Sequence, residues 1–269
     1  MELFQAIILG LVQGLTEFLP VSSSAHLVIV RDLLNMNDSH ALAFDAVLQL
    51  ATIAAVGIYF WKDLWGLFIT ACRFVIRKTV DKKEKTLLFS VIIGTVPAVI
   101  VGLLLEHMME GAFRDIRLVA GTLALGSMLF IFAEKYGKQN GELTIQKGLF
   151  VGFFQALAVV PGMSRSGMTI SGGLLNGLTR IDAARFSFIL SFPIIVGSGV
   201  KKLLELVKSG ALSGDYGFEL IVASIIAFVV GIGVIHFLMK FLQRHSLVSF
   251  AWYRVALATV ILVSVMFIK

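Results

Sequence analysis

Six stretches of this 269-residue chain are apolar over lengths close to a bilayer's hydrocarbon core: roughly Ala43 to Trp61, Leu87 to Glu106, Leu118 to Glu134, Phe186 to Val200, Phe218 to Leu238 and Phe250 to Ile268. With 58% hydrophobic and only 15% charged residues, the chain cannot clothe a soluble core of this size in polar surface. It therefore reads as an all-α polytopic membrane protein forming a single membrane domain over residues 1–269. The amino-terminal "MELFQAIILGLVQGLTEFLP" has an acid where a signal peptide has a basic region, and it offers no small-residue cleavage site, so it is read as part of the fold. Cys72 stands alone, which excludes an internal disulfide and a cysteine metal cluster. The net charge of +6 does not point to nucleic acid, because the basic residues gather in the loops between apolar runs, where membrane topology explains them.

Two further apolar segments, Leu3 to Val30 and Leu149 to Leu178, are interrupted at mid-length by Pro with Ser and Gly. Backbone at such a break cannot face lipid with its N–H and C=O groups unpaired, so both segments are expected to be re-entrant helix pairs whose tips line a protein-enclosed or wet cavity. They also resemble each other. "GLVQGLTEFLPVSSS" from Gly10 and "GFFQALAVVPGMSRS" from Gly152 share Gly-x-x-Gln, an apolar stretch, Pro and a serine cluster. Each is followed by three spans, an odd number of crossings. The chain is thus expected to be an inverted-topology repeat, each half one re-entrant helix pair plus three transmembrane helices, with repeat 1 at about 1–140 and repeat 2 at about 141–269.

Loop charges set the expected orientation. With both termini outside, the inner side holds Lys62, Arg73, Arg77, Lys78, Lys82, Lys83 and Lys85, then Lys135, Lys138, Lys147, Arg180, Arg185, Lys240 and Arg244. The outer side holds Arg31, Arg114, Arg117, Lys201, Lys202, Lys208 and Lys269. The positive-inside rule selects this arrangement, with the loop from Lys62 to Lys85 weighing most.

The polar residues of a membrane-buried tip are costly, and they are where function is sought. The first tip carries Gln13, Glu17, Ser22, Ser23, Ser24 and His26; the second carries Gln155, Ser164, Arg165, Ser166 and Thr169. Glu17 and Arg165 could be a structural ion pair joining the halves, but such a pair needs no surrounding hydroxyls and no histidine. An arginine among Ser and Thr hydroxyls at the start of a half-helix is phosphate chemistry: the guanidinium forks onto two oxygens and the helix N-terminus supplies N–H donors. Two such tips suit a diphosphate. Gln13 and Glu17, four apart, share a helix face, and Glu17 suits a hard divalent cation bridging to phosphate oxygens, or a base. Ser23 is the candidate nucleophile, with His26 as acid/base; His26 itself and a metal-bound water are the alternatives. Ser171, Ser187, Ser191 and Ser198 read as helix-packing residues. Asp45 and Gln49 read as outer support for the site or as capping residues, and Arg254 as snorkelling or paired.

"QGLTEFLPVSSSAH" and "PGMSRSGMT" together resemble the two signature motifs of the bacterial undecaprenyl-diphosphatase family of the bacitracin-resistance type, (Glu/Gln)-x-x-x-Glu with Pro-x-Ser-Ser-x-x-His, and Pro-Gly-x-Ser-Arg-Ser-x-x-Thr. The likeness in length, hydropathy and motif order covers the whole chain. It implies hydrolysis of undecaprenyl diphosphate, and of shorter prenyl diphosphates, to the monophosphate, recycling the lipid carrier of peptidoglycan synthesis. By motif position it implies roles for Gln13, Glu17, Ser23, His26, Ser164, Arg165, Ser166 and Thr169. It also implies a divalent cation (Mg2+ or Ca2+) held at Glu17 and Gln13, and a site open to the outer face of the bacterial cytoplasmic (inner) membrane. A homodimer is a candidate assembly. Gln13 stands where many members have a glutamate. The rival readings are a secondary transporter or flippase using the same anion site, and a structural scaffold.

Overall fold

A computed structural model describes residues 2–36, 40–109, 115–212 and 215–267. Arg114 and Lys269, two of the basic residues assigned to the outer side, lie outside them. The chain forms α1 (Leu3–Thr16), α2 (Ser23–Leu33), α3 (Ala41–Tyr59), α4 (Trp61–Val75), α5 (Lys82–Met109), α6 (Ile116–Tyr136), α7 (Ile145–Leu157), α8 (Arg165–Leu175), α9 (Arg180–Lys208), α10 (Asp215–Phe241) and α11 (Val248–Phe267), with no strand among the described residues. Six of these, α3, α5, α6, α9, α10 and α11, are long and apolar enough to cross a membrane, and they coincide with the six apolar runs. The protein is an all-helical, multi-pass membrane protein. Its outer surface fits that solvent: Ile92, Val96, Ile100, Leu103 and Leu104 of α5 and Phe218, Ile221, Ile225 and Val229 of α10 all face outward.

The greatest difference in span length is at α9, which extends beyond Phe186–Val200 at both ends. Thr179 caps it by accepting from the Asp182 N–H, and Pro193 lies inside the helix without ending it.

Both broken segments are pairs of short helices. The break between α1 and α2 ends at Ser22, with φ 73° and ψ 94°; the break between α7 and α8 ends at Ser164, with φ 68° and ψ 108°. A positive φ on serine is strained, at about 1–3 kcal/mol, and it occurs here twice at equivalent places. In both, the serine Oγ accepts from the N–H three residues on, Ala25 or Gly167, which caps the half-helix that follows. At Gly162 (φ +90°) a Cβ would lie 2.0 Å from Thr122 Oγ1, so the second break admits only glycine there.

Each pair packs against a long helix of the other half of the chain. Gly10 and Gly14 bring α1 onto α10, where a Cβ at Gly10 would lie 2.5 Å from the Ala223 carbonyl oxygen. Gly148 and Gly152 bring α7 onto α5, where a Cβ at Gly152 would lie 2.3 Å from the Gly94 carbonyl oxygen. Small residues four apart allow this close approach in a medium without a hydrophobic drive between helices. Helix α1 thus lies on a helix far later in the chain and α7 on one that precedes it, and both breaks end in the same cap geometry.

One element departs from that plan. The segment read as the start of a basic inner loop, from Lys62, is helical as far as Val75. Leu64 and Leu67 of α4 pack with Leu87, Val91, Phe186 and Leu190, Phe74 meets Phe89 edge-on at 5.2 Å, and Thr70 Oγ1 donates to Glu84 at 3.4 Å. These contacts hold the end of α4 beside the start of α5.

Candidate functional site

The two breaks meet at one carboxylate. Glu17 follows the last residue of α1 in helical conformation, so its side chain rises from the same face as Gln13, one turn earlier, whose Nε2 donates to Glu17 Oε2 at 2.8 Å. Ser23 opens α2, and its Oγ donates to the same Oε2 at 2.6 Å. From the other break, Arg165 opens α8 and its Nη2 forms an ion pair with Glu17 Oε1. The Glu17 side chain is 2% exposed and that of Arg165 is 20% exposed, so the pair sits at the wall of the site with the guanidinium toward the open side. Ser166 Oγ adds a second link between the tips by donating to the Leu19 carbonyl at 3.2 Å. The N-termini of α2 and α8 thus converge on a point that holds an arginine, a carboxylate and several hydroxyls, which is a site for anionic oxygens.

The remaining tip residues have local partners. Ser22 pairs with Ser24 at 3.1 Å and Ser164 with Ser166 at 3.3 Å. Thr169 lies one turn inside α8 and is fully buried. Its hydroxyl is shared among the Arg165 carbonyl at 2.8 Å, the Ser166 carbonyl at 3.2 Å and Ser187 Oγ. Thr169 therefore braces the start of α8 from within, and Ser187 is its partner on α9.

His26 is not hydrogen-bonded to Ser23. Its Nδ1 is 2.7 Å from the Ser22 carbonyl oxygen, which makes Nδ1 the N–H donor and leaves Nε2 as the exchanging nitrogen, 2.7 Å from the Tyr253 hydroxyl. The two rings lie parallel, 5° apart, with centroids at 5.8 Å. Asp45 lies in the second turn of α3, behind the N-cap His40. It holds Arg31 through two bonds, 2.6 Å from Nη2 and 2.8 Å from Nη1, and so ties α2 to α3.

The fit of a divalent cation rests on few donors. Among the described residues no group of three or more His, Cys, Asp or Glu side chains could hold a metal ion. Beside Glu17, however, Gln13 Oε1 is a buried carbonyl oxygen without a hydrogen-bond partner. One carboxylate, one amide oxygen and the oxygens of a bound phosphate fit Mg2+, which takes few protein ligands and completes its shell from substrate and water.

The sequence model for the family described as "Bacitracin resistance protein BacA" matches residues 6–260. The chain belongs to this family. It is similar to proteins named undecaprenyl-diphosphatase in three bacteria. Identity is 43% with that of Renibacterium salmoninarum, over 98% of this chain and 96% of the relative. It is 41% with that of Arthrobacter sp. (strain FB24), over 94% and 91%, and 40% with that of Chloroherpeton thalassium, over 97% and 96%.

Two residues of this BacA-family chain acquire importance only from its three-dimensional structure. Tyr253 and Arg254 are neighbours on α11, and each reaches a different tip. Tyr253 meets His26 of the first. Arg254 is fully buried and does not snorkel: its Nη1 donates to the Met163 carbonyl at 3.2 Å and its Nη2 to the Gly162 carbonyl at 3.0 Å, holding the second break. Its Nη2 also reaches the Leu123 carbonyl at 3.2 Å, its Nε reaches Ser127 Oγ at 3.2 Å, and the guanidinium lies 4.6 Å from the Phe130 ring centroid. Helix α11 is thus a strut that sets the two tips relative to one another. The pair Tyr253-Arg254 follows no site motif, and the partners of Arg254 are mostly backbone carbonyls, which leave no trace in a sequence.

Proposed function

We propose that this protein is an integral membrane phosphatase that hydrolyses undecaprenyl diphosphate to undecaprenyl phosphate and inorganic phosphate, recycling the lipid carrier for peptidoglycan synthesis and conferring bacitracin resistance. The observation that carries the proposal is the single buried carboxylate of Glu17, which receives the Ser23 hydroxyl from one helix N-terminus and the Arg165 guanidinium from the other. A carrier needs the arginine and the N–H donors, but not a hydroxyl held by a carboxylate beside them. Purified protein in detergent, without an ion gradient, is expected to release inorganic phosphate from undecaprenyl or shorter prenyl diphosphates in equal amount to the monophosphate formed. Transport of lipid across vesicles with no phosphate release would replace this reading by the transporter.

In the proposed reaction the diphosphate competes with Glu17 for the Arg165 guanidinium, while Ser164, Ser166 and the N–H groups opening α8 bind its oxygens, as Ser22 does at the first tip. As Arg165 transfers to phosphate, Glu17 keeps the Ser23 hydroxyl that it already accepts. Ser23 Oγ attacks the terminal phosphorus in line with the bridging oxygen. The Ser23 proton passes to Glu17, the bond from that phosphorus to the bridging oxygen breaks, and undecaprenyl phosphate leaves. Water then cleaves the phosphoserine, giving inorganic phosphate and restoring the hydroxyl. His26, with Nδ1 committed to the Ser22 carbonyl, exchanges protons at Nε2, where Tyr253 holds the ring. A divalent cation, Mg2+ or Ca2+, bound by Glu17 and Gln13, would supply positive charge against the phosphate oxygens. Thr169 acts in this scheme by holding the first turn of α8 in place.

We place the protein in the bacterial cytoplasmic (inner) membrane with both termini and the site toward the outer face, on the strength of the loop charges, and keep a homodimer as a candidate assembly. In a Cys72→Ser background, a cysteine at Lys82 is expected to be shielded from an impermeant thiol reagent in intact cells, and one at the exposed Lys208 to be labelled. The reverse pattern would invert the orientation.

A further inference from the structure

Away from the tips, the end of α4 and the start of α5 enclose an open recess of about 550 Å3, lined by Phe74, Val75, Arg77, Lys78, Val80 and Lys85. We infer that this recess binds the headgroup of an anionic phospholipid of the surrounding bilayer, with an acyl chain lying along the outer face of α4.

Three observations combine. The recess brings together three cations, and among the described residues none of the three is in an ion pair. The acids of the hairpin are engaged elsewhere: Asp81 accepts from the Lys83 N–H at 2.9 Å and Glu84 accepts from Thr70 at 3.4 Å. Second, the cations are positioned by structure. The chain turns sharply at the end of α4 through Arg77 at φ 57°, with Arg77 N–H donating to the Phe74 carbonyl at 3.1 Å and Lys78 N–H to the Arg73 carbonyl at 2.9 Å. Lys85 Nζ lies 5.7 Å from the Phe74 ring centroid.

Third, an apolar stripe leads to the recess. Trp61, Trp65, Phe68, Cys72 and Val75 recur at helical spacing and are all exposed, while Leu64 and Leu67, along one flank of the stripe, pack into the cluster of Val91, Phe186 and Leu190. From Trp61 to Val75 the stripe runs about 21 Å, the scale of one acyl chain. A basic pocket at the end of an exposed apolar stripe matches a molecule that is anionic at one end and apolar along its length. An uncharged or zwitterionic lipid would use the stripe but leave the three cations without a counter-ion.

A prenyl phosphate has the same two-part chemistry, so the experiment must separate the two. Purified protein is titrated with phosphatidylglycerol, phosphatidylcholine or undecaprenyl phosphate, and bound lipid is read by native mass spectrometry. Phosphatidylglycerol is expected to be retained at least tenfold better than phosphatidylcholine. The variant Arg77→Gln/Lys78→Gln/Lys85→Gln is expected to lose that preference while keeping phosphatidylcholine binding and its phosphate release in detergent. On the wild-type protein alone, the preference should collapse as salt is raised from low to high concentration. Equal retention of the two phospholipids, a variant that still prefers phosphatidylglycerol, or undecaprenyl phosphate displacing it from the wild type would each overturn the inference. The readout is binding, so it stands or falls separately from the phosphatase reading.

Discussion

Arg165→Lys is expected to lower phosphate release at least about a hundredfold, although it conserves the charge. The guanidinium pairs with Glu17 across the two tips through Nη2, and its planar fork can meet two phosphate oxygens at once when it transfers. An ammonium is a point charge on a flexible stem. Loss of one such contact in the transition state costs about 3–4 kcal/mol, a factor of about a hundred to a thousand. Melting temperature and membrane yield should change little, since an ammonium can still meet the carboxylate. Wild-type turnover in a folded lysine variant would return Arg165 to the role of a structural ion pair.

Glu17→Gln is expected to have the larger effect, a loss of about a thousandfold or more. The amide is nearly isosteric and its oxygen can still accept from Ser23, so the Ser23 contact need not be lost. It cannot accept a proton, and it cannot balance Arg165. With divalent cations chelated, the variant should therefore bind a non-hydrolysable diphosphate analogue at least as well as the wild type, because the guanidinium no longer has a competing carboxylate. Measurable turnover with weakened analogue binding would mean that Glu17 serves the fold rather than the reaction.

Hydropathy made the scaffold legible: long apolar runs have one stable outcome in a bilayer, and the six spans appeared where the runs are. The breaks were legible because Pro and clustered Ser inside an apolar segment leave backbone groups that must be enclosed. The four-residue spacing of Gln13 and Glu17 placed them on one face, as found. What eluded the sequence has particular causes. The helical character of α4 was masked by its basic residues, which resemble a loop when counted for topology, while Leu64 and Leu67 find partners far along the chain in α5 and α9. His26 was set beside Ser23 by helical spacing, but spacing does not reveal which way an imidazole turns, and a tyrosine on α11 captures it. Asp45 reads from sequence as outer support for the site or as a capping residue; its bidentate partner is Arg31, fourteen positions earlier on α2, and no spacing rule pairs the two. Arg254 reads from sequence as snorkelling or structurally paired, and the second holds; which partners it takes was hidden, because they are mostly carbonyls on α6 and in the second break.

The identity of the group that attacks phosphorus is the centre of the account, and trapping the intermediate addresses it directly. Purified protein turning over a prenyl diphosphate labelled at its terminal phosphate is quenched in acid and digested, and the labelled peptide is sequenced. Attack by the Glu17-held hydroxyl predicts acid-stable phosphate on Ser23, abolished in Ser23→Ala together with turnover. Acid-labile phosphate on His26, or no covalent label with Ser23→Ala still turning over at near the wild-type rate, would contradict it.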